Sequence, residues 1–182
     1  MAADARHGEA LGCRLLAALR DVPDFPRKGI VFKDITPVLG DAALLRDLVD
    51  GLAAPWTGAG ITHVAGIESR GFIVAAPVAV ALGAGFIPIR KPGKLPWQTA
   101  GQDYALEYGT DRVEIHRDAC PPGSRILLLD DVLATGGTAA AALGLIGQVG
   151  GVVVGCSFLL AIVGLRGAER LPGLPVECLL NV

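Results

Sequence analysis

The chain has 182 residues, with 16 Lys and Arg against 18 Asp and Glu and a net charge of −2. That length suits one domain, residues 1–182, with a proper buried core. The even charge excludes the basic footprint of a general nucleic-acid binder.

Mean hydropathy is +0.51, yet the two long uncharged runs are broken. Residues 71–89 contain Pro77 and Gly83-Ala84-Gly85, and residues 132–165 contain Gly136-Gly137, Gln148 and Gly150-Gly151. Each reads as buried helix, turn and buried strand, the alternation of a parallel sheet covered on both faces, rather than as a bilayer span. The four cysteines, Cys13, Cys120, Cys156 and Cys178, form no C-x-x-C and no cluster at zinc spacing, so reduced thiols in a cytoplasmic protein are expected. The segment MAADARHGEA has no apolar stretch of the signal-peptide kind.

In chain order, Glu9 to Leu19 has helical spacing, with Leu11, Leu15, Leu16 and Leu19 on one face. The prolines of DVPDFP end it. Gly29 to Pro37, GIVFKDITP, predicts a short extended segment bounded by Gly and Pro. By pattern alone Phe32 there is a core residue. Asp41 is placed to cap a helix from Ala42 to about Leu52. Ile61 to Ile67 predicts the first core strand, and a helix follows from Phe72 to about Leu82. Between them, Glu68-Ser69-Arg70-Gly71 is a polar turn at a helix start, a candidate anion site to which Arg70 adds a forked cationic donor. Phe86 to Ile89 is the next strand, and the chain's densest basic cluster, Arg90, Lys91 and Lys94, follows it. Leu95 to Gly109 predicts a mobile loop that ends in a short strand; Trp97 within it is either exposed on a lid or buried as core. Val113 to His116 alternates like a half-exposed strand.

Ile126 to Leu129 is a short apolar run after the turn signal Pro121-Pro122-Gly123, which predicts a strand buried on both faces. Asp130 and Asp131 follow where that strand should end. Next come Ala134-Thr135-Gly136-Gly137-Thr138 and an Ala-rich helix to about Val149. Such a turn gathers backbone N–H groups and the positive end of a helix dipole around one point, which suits a phosphate. Gly136 and Gly137 allow close approach, and Thr135 and Thr138 add hydroxyl donors. Acids at the carboxyl end of the strand face hydroxyls or a metal-bound group. A phosphate on one side and hydroxyls on the other describe a sugar phosphate. No Lys follows Gly137 and no G-x-G-x-x-G occurs here, so neither a Walker A loop nor a dinucleotide fingerprint is present. Val152 to Ile162 predicts another buried strand. Gly164 to Gly173 reads as a loop with a short helix, and Val176 to Leu180 as an edge strand.

The stretch LLLDDVLATGGT at 127–138 resembles the phosphoribosyl-pyrophosphate signature of the type I phosphoribosyltransferases. FPRKGIVFKDITP at 25–37, ESRGF at 68–72, RKPGKLP at 90–96 and YALEYG at 104–109 narrow the resemblance to the adenine phosphoribosyltransferase family, in family order over residues 23–163. It implies an α/β fold, a central mostly parallel sheet flanked by helices, with a small hood and a flexible catalytic loop. It implies AMP and pyrophosphate from adenine and phosphoribosyl pyrophosphate, a step of purine salvage.

The resemblance also implies residue roles. Phe32 stacks on adenine and the main chain of Val31 reads its edge, with Arg70 and Val132 also at the base. Ser69 and Arg70 bind pyrophosphate, joined by Arg90, Lys91 and Lys94. Asp130 and Asp131 take the ribose hydroxyls; Ala134, Thr135, Gly136, Gly137 and Thr138 take the 5′-phosphate. Glu107 handles a purine proton, with Arg70 beside it as the second catalytic residue, and Tyr108 closes or lines the site. Mg²⁺ is implied as cofactor, held mainly through the substrate and without a direct protein ligand. A cytoplasmic homodimer is implied, with no nucleic-acid or membrane partner, in which the basic segment can reach the neighbour's site. Two rivals stay open at this point: a phosphoribosyltransferase for another base, and a non-catalytic regulator that senses the sugar phosphate.

Overall fold

The structure, a computed structural model, describes residues 2–105 and 110–182, with side chains described for 10–104 and 110–182. Its packing divides into two compact units, residues 1–51 and 52–182.

The first unit holds α1 (Ala2–Ala18), β1 (Arg20–Pro23), β2 (Val31–Asp34), α2 (Thr36–Gly40) and most of α3 (Ala42–Ala53). β1 and β2 form an antiparallel hairpin in which Val22 faces Phe32. At its loop Asp24 sits at a positive φ of 58° and its Oδ1 accepts from the Gly29 N–H at 2.7 Å. The Asp41 cap forms as expected, its Oδ1 accepting from the Ala43 and Leu44 N–H groups at 2.8 and 2.9 Å. Three expectations are corrected here. The DVP stretch that should only stop a helix begins strand pairing. Thr36-Pro37 opens helix α2, with Pro in the first turn, where its missing N–H costs nothing. On α1, Leu15 is buried but Leu16 is 49% exposed, so the apolar face is narrower than its leucines suggest.

The second unit is built on a five-stranded, wholly parallel sheet in the order β4-β3-β7-β8-β9. The strands are β3 (His63–Ile67), β4 (Gly85–Ile89), β7 (Arg125–Leu133), β8 (Val152–Ala161) and β9 (Val176–Asn181). β5 (Thr99–Ala105) and β6 (Thr110–His116) form a separate antiparallel pair. Ile126, Leu127, Leu128 and Leu129 on central β7 are fully buried. Alternation sends Ile126 and Leu128 to one face, where they join Ala142, Leu145 and Ile146 of α5 (Gly137–Gln148). Helix α4 (Arg70–Ala81) buries Val74, Ala75 and Val78.

The chain winds outward in both directions from the centre. From β3 it crosses through α4 to β4 on one side, and from β7 through α5 to β8 on the other. Right-handed crossovers then put the two helices on opposite faces, and the strand order reverses between β3 and β7. Ligands of open α/β sheets sit at the carboxyl ends of strands at such a reversal.

Two expectations in this unit change. β7 does not stop before the acids: Asp130, Asp131 and Val132 lie inside it, and Asp130 and Val132 stand opposite Phe158 and Leu160 of β8. Thr99–Ala105 is a strand rather than a loop, paired along its whole length with β6.

Candidate active site

Two turns emerge side by side at the β3/β7 reversal. The first follows β3. Ser69 begins α4 but makes no side-chain capping bond, so its hydroxyl is not spent on the helix. The Glu68–Ser69 peptide is cis. The second turn follows β7, with Gly136 at φ 78° before α5, again with no side-chain cap. The first-turn N–H groups of a helix have no intrahelical acceptor, so here they face outward together with the dipole. A cavity of about 80 Å³ lies against them, lined by Asp130, Phe158 and residues 132–139.

The turns are locked together by contact and charge. A Cβ on Gly71 would stand 2.5 Å from Asp130 Oδ1 and 3.4 Å from Asp130 Cα, so only glycine lets α4 start this close to β7. Arg70 Nε donates to Asp131 Oδ2. Asp131 is 5% exposed, and its N–H donates back to Asp130 Oδ1 at 2.9 Å. Burial, together with the neighbouring Asp131 carboxylate, holds the Asp130 carboxyl well above the usual carboxylate range. A group so placed gains from any ligand that brings hydroxyl donors or positive charge.

The basic segment is drawn in by a carboxylate that carries no role in the sequence reading. Glu68 has a side chain only 7% exposed; its Oε2 accepts from Arg90 Nε at 2.7 Å and its Oε1 lies 3.5 Å from Lys94 Nζ. Burial pushes Glu68 upward, but the Arg90 hydrogen bond and the Lys94 charge outweigh it, and the net shift is downward. Arg90 also exchanges backbone hydrogen bonds with Glu114 of β6 at 2.9 and 2.7 Å. Lys91 turns to the hairpin, where its Nζ donates to Asp111 Oδ2 and to Tyr104 Oη, the latter at 2.9 Å. The Lys91 hydrogen bond holds Asp111 low. Burial lowers Lys91 itself, but Asp111 and Tyr104 more than compensate and raise it.

The expected site residues therefore fall into three groups. Ser69, Arg70, Asp130, Asp131, Val132 and Ala134 to Thr138 gather at the reversal, with Arg90 and Lys94 linked to them through Glu68. Lys91 sits against the Tyr104–Asp111 pair of the β5–β6 hairpin. Val31 and Phe32 belong to the first unit, where Val31 is 53% exposed and Phe32 meets Phe25 edge-on at 5.2 Å between ring centres. Phe25, itself 51% exposed, was not singled out by the sequence reading, although it opens the same motif. Glu107 and Tyr108 lie outside the described residues. Trp97 is 66% exposed, which settles it as no part of the core. Among the described residues no three His, Cys, Asp or Glu side chains group to hold a metal, and no helix is long and apolar enough to cross a membrane.

The sequence profile of the phosphoribosyl transferase domain matches residues 42–172. An adenine phosphoribosyltransferase of Thermobifida fusca is 57% identical over 164 residues, which are 90% of this chain and 93% of that protein. Among solved structures, the chain is similar to the adenine phosphoribosyltransferase of Rhodothermus marinus, with a TM-score of 0.92 at 52% identity, covering 96% of this chain and 99% of that one. It is also similar to the Saccharomyces cerevisiae enzyme complexed with an imino-altritol bisphosphate and adenine, with a TM-score of 0.89 at 37% identity, covering 94% and 99%. The likeness extends over nearly the whole chain in both sequence and fold, and the chain belongs to the adenine phosphoribosyltransferases, pentosyltransferases built on the phosphoribosyl transferase domain.

Proposed function

We propose that the chain transfers the 5-phosphoribosyl group from phosphoribosyl pyrophosphate to adenine, giving AMP and pyrophosphate. The observation that carries this reading is the union of the two turns by Gly71–Asp130 and Arg70–Asp131. It sets a phosphate-sized cavity, two carboxylates and an Arg-bearing helix start next to one another. In the reaction N9 of adenine bonds to C1′, the bond from C1′ to the pyrophosphate oxygen breaks, and the base gives up its N9 proton. The turn Ala134 to Thr138 holds the 5′-phosphate by backbone N–H groups and the Thr135 and Thr138 hydroxyls. Asp130 and Asp131 accept from the ribose 2′- and 3′-hydroxyls and stabilise positive charge growing on the sugar ring. Ser69 and Arg70 hold the departing pyrophosphate, with Arg90, Lys91 and Lys94 as further cations. Phe32 stacks on the base, the Val31 main chain reads its amidine-like edge, and Val132 and Arg70 border it. Glu107 takes up the purine proton, a role worth about 10²–10⁴-fold, and Tyr108 helps to close the site.

The acid pair also suits a cation held through the ligand. Asp130 and Asp131 are too few to cage Mg²⁺ alone, and Asp131 already carries Arg70, so the ion would be held mainly by ribose and pyrophosphate oxygens. When bound it would neutralise charge on the leaving group. A homodimer is supported by apolar side chains on the outer face of α4 and the edge strand β4: Val80 is 81% exposed, Ile73 47% and Phe86 36%. We place the enzyme in purine salvage in the cytoplasm, as one domain over residues 1–182.

The test is product formation with phosphoribosyl pyrophosphate and Mg²⁺, with adenine, hypoxanthine, guanine and orotate in parallel. AMP from adenine alone is expected. Product from another base would keep the phosphate and ribose roles and overturn those of Val31 and Phe32. Sugar-phosphate binding without product from any base would favour a sensor.

A further inference from the structure

Behind the phosphate turn runs a second loop, the two short 3₁₀ turns Val163–Leu165 and Gly167–Arg170. Its Gly167 lies backbone to backbone against the turn. A Cβ on Gly167 would fall against the Ala134 carbonyl oxygen, and 3.0 Å from both Gly136 N and Leu133 Cδ1. Reciprocally, a Cβ on Gly136 would fall against the Gly167 carbonyl oxygen and 3.1 Å from its Cα. The loop is pinned at both ends. The Ile162 N–H donates to Leu133 O at 2.9 Å, and Leu171 is 2% exposed. The turn itself has no side-chain cap at Gly136. Its shape is therefore set from outside, by the loop it rests on.

We propose that Gly167 is a positioning residue for the sugar-phosphate site: it sets the height of the Ala134–Gly136 backbone, and so the aim of the N–H groups that hold the 5′-phosphate. The inference rests on the turn being the 5′-phosphate site, as proposed above. Gly167, unlike Gly136, has no positive φ, so alanine fits its backbone conformation and Gly167→Ala tests packing alone. The loop also lines a cavity of about 550 Å³, which Gly167, Arg166, Ala168 and Glu169 border together with Leu133. The loop can retreat into that space, so the added methyl displaces the buttress rather than unfolding the protein.

The experiment measures binding of ribose 5-phosphate and of pyrophosphate separately, by calorimetry, to the wild type, Gly167→Ala and Gly164→Ala. Gly164 is the control, because a Cβ there meets nothing within 4 Å. Gly167→Ala is expected to weaken ribose 5-phosphate about 10- to 100-fold and to leave pyrophosphate, held at Ser69 and Arg70, within about twofold of wild type. Gly164→Ala should match wild type for both. Equal ribose 5-phosphate binding by Gly167→Ala, or an equal loss of both ligands, overturns the proposal. If Gly167→Ala does not fold, Arg166→Gly decides. Arg166 makes the corner before Gly167 at φ 54°, and glycine there loosens the corner without adding an atom. It should weaken ribose 5-phosphate about two- to fivefold, and an unchanged affinity overturns the proposal. Failure of the wild type itself to bind ribose 5-phosphate would instead sink the assignment of the turn.

Discussion

Replacing Asp130 by Asn should make the protein more stable and a poorer enzyme. The Asp130 carboxyl is held above its ordinary 3.8 by burial and by Asp131, so the folded chain binds this proton more tightly than the unfolded chain does. Between the ordinary and the raised value, stability falls as pH rises. Above the raised value the full cost of the buried charge is present. Each pH unit in that window is worth about 1.4 kcal/mol. Asn removes that charge, and relief of an incompletely compensated buried polar group is worth about 1–2 kcal/mol, or roughly 2–8 °C in Tm for a chain of this size. Asn keeps an oxygen to accept the Asp131 N–H, so the strand end need not rearrange. The lost charge should weaken phosphoribosyl pyrophosphate by about 1.5–3 kcal/mol, the worth of a hydrogen bond to an ionised group. Thermal unfolding from pH 4.5 to 8, with calorimetry of the sugar phosphate, checks both halves. A wild-type profile without a fall in that range, together with a variant no more stable at pH 7.5, would refute the reasoning.

Three further outcomes are expected. Glu107→Gln should lower turnover by about 10²–10⁴-fold with little change in sugar-phosphate binding; steady-state rates beside calorimetry decide, and equal turnover removes Glu107 from the chemistry. Gly71→Ala puts a methyl group 2.5 Å from Asp130 Oδ1, and overpacking of about 1–3 kcal/mol should appear as weaker phosphoribosyl pyrophosphate binding, with unchanged affinity counting against the lock between the turns. Gly155→Ala drives a Cβ into the Trp56 indole beneath the sheet; urea unfolding should show a loss of about 1–3 kcal/mol with KM unaltered, and a neutral result would mean that Trp56 repacks freely.

Much of this arrangement can be read from residue patterns, and the exceptions have identifiable causes. Ile126 to Leu129 announces a strand because four apolar residues in a row need two covered faces, and Gly136-Gly137 announces a turn because few other residues allow it. The continuation of β7 through Asp130 and Asp131 is hidden because charges usually end a strand. Here β8 runs alongside as far as the Leu133–Ala161 pair, so the backbone stays paired while the acids come at the carboxyl end of the central strand. β5 is hidden because Thr-Ala-Gly-Gln-Asp is poor strand material. It forms around β6, whose Arg112 lies over Gly101 and bonds Asp103 Oδ1 at 2.9 Å. Helix α2 was legible in principle, since Pro one place into a helix is a start signal, but the β-rich residues before it dominate the pattern. Glu68 escaped attention because its task depends on Arg90 and Lys94, more than 20 positions away, and no local pattern carries that pairing.

The hold of Glu68 on Arg90 and Lys94 has a kinetic consequence. If Arg90 and Lys94 serve the pyrophosphate as proposed, they are not a bare trap for any polyanion. A diphosphate must compete with a resident carboxylate for them, so its net affinity is a difference between two attractions rather than the sum of its own contacts. When the pyrophosphate departs, Glu68 is at hand to take back both partners. On the proposed assignment the protein carries its own exchange anion, which favours turnover over product retention and offsets part of the cationic charge between cycles.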